Sequence, residues 1–131
     1  MPAPRVLIVD DDDSVLQYLS MWFEQQAIMH ECVSSCADAL GLLDDHVYDL
    51  ILMDIRMPEE DGISCRKTIL SLHPSACIRM ITGFPDDAFE AGIPPVQVVR
   101  KPFEKGQLFD MSVLASQRYR HRVGGRVVNC A

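Results

Sequence analysis

The stretch Tyr48–Gly62, YDLILMDIRMPEEDG, joins an unbroken apolar run to an acidic loop bearing Pro and Gly, with Asp54 at the junction. An aliphatic run such as LILM, with no polar alternation, is the pattern of a strand covered on both faces, as in a parallel sheet. It is far too short to span a bilayer, which needs about 20 apolar residues. Pro58 and Gly62 are turn formers that shape the loop behind Asp54. A buried strand thus delivers one carboxylate to the edge of a sheet.

Outward from this stretch the same unit recurs. RVLIV (Arg5–Val9) is another short β-branched run, and it ends in the acidic group Asp10–Asp13. From Ser14 onward Val15, Leu16, Leu19, Trp22 and Phe23 recur at helical spacing, with Asp12 or Asp13 placed to cap the helix. A weak strand around MHECV, a helix around Ala37 to Leu43, the strand ending at Asp54 and a helix around Ile63 to Leu72 follow. CIRMI then runs to Thr82, VQVV ends beside Lys101, and a last helix begins near Lys105. Between Thr82 and Lys101, Pro85, Pro94 and Pro95 limit helix to a turn or two, so the fourth helix is expected to be short or irregular. Strict alternation of apolar strands and helices predicts an α/β fold. The expected form is a flavodoxin-like, doubly wound, five-stranded parallel sheet of order 2-1-3-4-5 with helices on both faces.

In such a sheet a ligand sits beyond the carboxyl ends of the strands, at the switch point between the first and third. Those two ends carry Asp10, Asp11 and Asp54, and the fourth and fifth strands end at Thr82 and beside Lys101. Crowded carboxylates raise one another's pKa unless a cation intervenes, and hard oxygen ligands suit Mg²⁺. Phosphoryl transfer needs an in-line nucleophile and neutralisation of the equatorial oxygens. A carboxylate oxygen, the Thr82 hydroxyl, Lys101 and Mg²⁺ are parts that match that reaction.

Four ordered motifs, LIVDD, LILMDIRMPEEDG, MITG and RKPF, resemble the response-regulator receiver family of two-component signalling over residues 5 to 120. The resemblance implies a receiver domain over residues 1–120 and a tail or linker over 121–131. It implies that Asp54 accepts a phosphoryl group from a histidine kinase or histidine phosphotransfer protein in a Mg²⁺-dependent reaction and relays the signal by conformational change. Asp10 and Asp11 would hold Mg²⁺, Asp11 directly, with Asp54 and the backbone carbonyl of Arg56 completing the protein ligands. Thr82 would bond the phosphoryl group and Lys101 would pair with it. A cis peptide between Lys101 and Pro102 is implied as well. On this reading the chain is a signalling phosphoacceptor rather than an enzyme, although it assists its own phosphorylation and dephosphorylation.

The chain departs from the family pattern in two places. The Tyr or Phe that family members usually carry three residues before the Lys is Val98 here, and the fourth helix lies in a Pro-rich stretch. The positions two beyond the acceptor and two beyond the Thr, which tune phosphate gain and loss in the family, hold the bulky Arg56 and Phe84. Phe84 is expected to shield the phosphoryl group from water and Arg56 to add local positive charge.

Other features read as structure before chemistry. With 131 residues, 48% of them hydrophobic, the chain suits one folded domain, and its acidic start does not resemble a secretory signal, so a cytoplasmic location is expected. Cys32, Cys36, Cys65, Cys77 and Cys130 are an odd set without paired C-x-x-C spacing, which points to reduced thiols rather than a disulfide framework or zinc. A net charge of -7 argues against direct nucleic-acid binding, and Arg118, Arg120, Arg122 and Arg126 read as the cationic end of a helix followed by a linker. The partners expected are therefore the kinase or phosphotransfer protein and a downstream protein or output domain, with no membrane. Two rivals stand beside this. Asp11-Asp12-Asp13-Ser14-Val15 matches the nucleophile loop of a haloacid-dehalogenase-type phosphatase using Asp11, but that leaves Asp54 and MPEEDG unexplained. Val98 suggests a phosphorylation-independent interaction module, against which the intact acidic site speaks.

Overall fold

β1 (Arg5–Val9) and β3 (Leu50–Asp54) lie side by side at the centre of a parallel sheet, with Val6 opposite Leu50 and Val9 opposite Met53. β2 (Met29–Val33) adds outside β1, while β4 (Ile78–Thr82) and β5 (Val98–Arg100) add outside β3, giving the five-stranded order β2-β1-β3-β4-β5. This is the flavodoxin-like arrangement expected from the alternation of strands and helices. The computed structural model describes residues 3–124. Arg126 and Cys130, singled out in the sequence, lie outside the described residues.

The aliphatic runs form strands because both faces of the sheet are covered. On one face Leu7, Val9, Ile51, Met53 and Met80 pack against α2 (Cys36–Asp45), α3 (Gly62–Leu72) and α4 (Pro85–Glu90). On the other, Val6, Ile8, Leu50, Leu52 and Ile81 pack against α1 (Asp13–Gln25) and α5 (Lys105–Val123). Each fully buried aliphatic side chain contributes about 1.5–3 kcal/mol, so these inner strands anchor the residues that follow them. The helices start where short polar side chains can accept from free N–H groups: Asp12 from Ser14, Ser35 from Asp38 and Asp61 from Ser64. No helix among the described residues is long and apolar enough to cross a membrane.

α4 has six residues, as its prolines imply, and Phe84 at its N-cap makes no side-chain capping bond. The last strand differs from expectation. It begins at Val98 rather than Val96, because Pro95–Gln97 form a 3₁₀ turn and Pro fits the first position of such a turn. The Lys101–Pro102 peptide is cis.

The cysteines require a correction: Cys36 and Cys65 are joined as a disulfide that ties the start of α2 to α3. They stand 29 residues apart, and only the packing of two helices on the same sheet face brings them together. Cys32 is exposed and free. α5 continues beyond residue 120 to Val123, and Arg122 is held by the buried Asp49, Nε to Oδ1 at 2.8 Å and a second guanidinium nitrogen to Oδ2 at 3.2 Å. Arg122 therefore belongs to the folded body, and its charge does more than complement a helix end.

Candidate functional site

The carboxyl ends of β1 and β3 bring Asp10 and Asp54 together, both buried. Lys101 follows β5, and its backbone N–H donates to the carbonyl of Thr82 at 2.7 Å, which fixes it against the end of β4. From there its Nζ reaches Asp10 Oδ2 at 2.6 Å and Asp54 Oδ1 at 3.2 Å. The other oxygen of Asp10 accepts from the Asp12 N–H at 2.9 Å. Both oxygens of Asp10 are therefore engaged, while Asp11 is exposed beside them. One carboxylate oxygen from each of Asp10, Asp11 and Asp54 lies within 4.8 Å of the others. An all-oxygen set of this kind fits a hard divalent cation.

Thr82 is buried at the end of β4, and its Oγ1 accepts from the Phe84 N–H at 2.8 Å, which leaves the hydroxyl hydrogen available to donate. Gly62 closes the loop behind Asp54: its N–H donates to the carbonyl of Ile55 at 2.7 Å, and a Cβ at this position would collide with the carbonyl of Asp54. The glycine is thus needed for close approach, beyond the turn role read from the sequence. The Arg56 side chain does not join the carboxylates. Its Nε donates to Asp87 Oδ2 at 3.0 Å, and its guanidinium carbon lies 3.4 Å from the centre of the half-exposed Phe84 ring.

This arrangement coincides with a family pattern. The profile of the response regulator receiver domain matches residues 6–112. The chain belongs to that family. Its receiver sequence is 36% identical over 109 residues to regulatory protein AtoC of Escherichia coli (strain K12), covering 79% of this chain and 23% of that protein. It is 27% identical over 127 residues to the DNA-binding transcriptional regulator NtrC of Proteus hauseri, covering 93% of this chain and 26% of that protein. The chain thus spans about a quarter of the length of these relatives. In fold it is similar to a CheY-like response regulator receiver domain protein from Methanospirillum hungatei JF-1. That similarity has a TM-score of 0.78 at 21% identity and covers 92% of this chain and 99% of that one.

Burial first, and then the negative field of Asp10, push the receiver's Asp54 up to about 6, against the partial relief that Lys101 gives. Burial alone would lower Lys101, but its bond to Asp10 and the charges of Asp10 and Asp54 more than offset this and hold it above its ordinary value. The site is therefore an acidic cluster short of positive charge. Asp87, the partner of Arg56, carried no signal in the sequence. It stands 31 residues away in the first turn of α4, where an acid reads as a complement to the helix dipole.

Proposed function

We propose that this receiver domain works in the cytoplasm, where it takes a phosphoryl group onto Asp54 from a histidine kinase or histidine phosphotransfer protein, with Mg²⁺ as cofactor. The change then passes to a downstream protein or output domain. The observation that carries this reading is Asp54 itself, a buried carboxylate at a strand end, held by Lys101 and crowded by Asp10 and Asp11. An Oδ of Asp54 attacks phosphorus, the phosphorus–nitrogen bond of the donor breaks, and its electron pair leaves on the donor imidazole, which gains a proton. The Thr82 hydroxyl donates to one phosphoryl oxygen and Lys101 pairs with another. Asp11 would be the direct metal ligand, joined by Asp54 and the Arg56 carbonyl, since Asp10 is already engaged by the Asp12 N–H and Lys101. Asp10 holds Lys101 and adds its charge at one remove. A hard dication held by these residues would supply charge neutralisation to the carboxylate and phosphoryl oxygens. The Phe84 ring, two residues beyond Thr82, screens the group from water and slows its hydrolysis.

The relatives support a downstream output, since AtoC and NtrC are named as regulators and are much longer than this chain. The phosphatase alternative gains nothing from the geometry. Asp12 is occupied in capping α1, and Asp13, the second acid of the D-x-D pattern, lies within the first turn of that helix.

Incubation with acetyl phosphate and Mg²⁺, read by intact mass, tests the proposal. The wild type should gain one phosphoryl group, Asp54→Asn should gain none, and Lys101→Met should slow uptake by about 10²-fold, as for loss of one preorganised charge donor. Phe84→Ala should take up the group but lose it faster. Equal uptake by Asp54→Asn would overturn the acceptor role, and an unchanged decay rate in Phe84→Ala would remove the screening role.

A further inference from the structure

Arg56 stands at the lip of the site, and its side chain ties the loop after β3 to the beginning of α4 through Asp87 and the Phe84 ring. α4 is poorly supported in itself. It has six residues, no side-chain cap and one buried residue, Ala88. A helix this short does not hold together through its own hydrogen bonds. What it is tied to therefore matters. The Arg56 and Asp87 side chains are 56% and 35% exposed, so the pair is weak and its partners are exchangeable. Val98 packs against the core and brings neither charge nor ring to this edge.

We propose that the Arg56 guanidinium reads phosphorylation by exchanging Asp87 for the phosphoryl group on Asp54 and, in leaving, frees α4. This rests on Asp54 being the acceptor. A phosphoryl group carries about -1.5 to -2 charges and three acceptor oxygens, against the single charge of Asp87, and a planar guanidinium can meet two of those oxygens at once. Two residues of chain span at most about 7 Å, which keeps the acceptor within the reach of an Arg side chain. The face of the Phe84 ring, on which the guanidinium already rests, holds the cation at the site mouth as it changes partner. The message leaves the site through the loss of an ion pair, and the surface that changes is α4.

The test is hydrogen exchange at the amides of α4, before and after treatment with acetyl phosphate and Mg²⁺, with intact mass read on the same samples. In the wild type, phosphorylation should speed this exchange about two- to five-fold, the equilibrium factor for an exposed ion pair. Asp87→Asn should be fast before treatment and unchanged after it. Arg56→Gln, which keeps Asp87 and its favourable place in the helix dipole, should behave in the same way. If phosphorylated wild type exchanges no faster, or if either variant responds as the wild type does, the inference is overturned. Absence of any mass gain in the wild type overturns the acceptor assignment itself, and with it this inference, and so separates the two failures.

Discussion

At neutral pH the Asp54 carboxylate works against the fold. Its pKa is raised from 3.8 to about 6, chiefly by burial and then by Asp10. A raised acid stabilises the folded state fully below its unfolded value, and that contribution is lost as pH rises through about 6. Without divalent cations, Asp54→Asn is therefore expected to raise stability at pH 7 by about 1–3 kcal/mol, seen as a higher Tm. Added Mg²⁺ should raise the Tm of the wild type more than that of the variant, and this gain should shrink below pH 6 as Asp54 takes up a proton. A Tm lowered by Asp54→Asn would contradict this electrostatic picture. The residues of the acidic site were legible because each ends or follows an apolar strand, so that Asp10, Asp11, Asp54, Thr82 and Lys101 share one edge once the sheet is drawn. Asp49 shows what such reasoning misses. It is equally buried, but it sits at the opposite end of β3 and serves Arg5 and Arg122 through structural bonds.

The loop from Ile55 to Gly62 connects strand chemistry to helix position. Gly62 lets α3 start against the carbonyl of Asp54, so Gly62→Ala must push either the helix or Asp54 aside. It is expected to lower stability by about 2–4 kcal/mol, in the range of other substitutions that force a backbone shift, and to slow phosphate uptake. Denaturant midpoints and uptake rates check both effects, and a variant that matched the wild type in each would show that the loop yields without moving Asp54. Elements in which local pattern and global packing agree, such as β1, β3 and α1, were readable within a residue or two. β5 was displaced because Pro94 and Pro95 claimed the preceding residues for a tight turn, which apolar content does not reveal. The Cys36–Cys65 link was hidden for a related reason: residues on separate helices have no spacing rule to announce them.

The molecule as a whole has two polar ends. One carries the acidic cluster with Lys101, and at the other Arg5, Glu31, Tyr48, Asp49 and Arg122 hold the strand starts and the end of α5 together. At that second end Tyr48 and Arg5 hold Glu31 below its usual range, with the Tyr48 bond as the larger cause, so these groups are engaged with one another. Such a division sets the acidic cluster at the carboxyl edge of the sheet apart from the ion pairs at the opposite end. Fold and family were legible in the ordered motifs, whereas the route of the signal was not, because it runs through Arg56, Phe84 and Asp87, whose contact exists only in three dimensions. Borohydride reduction after treatment with acetyl phosphate and Mg²⁺ reports which residue accepts the group, since it converts an aspartyl phosphate to homoserine at the residue that carried it. Peptide mass mapping should find homoserine at position 54 alone; homoserine at position 11, or at neither position in a protein that has gained phosphate, would contradict the assignment of Asp54 as the acceptor.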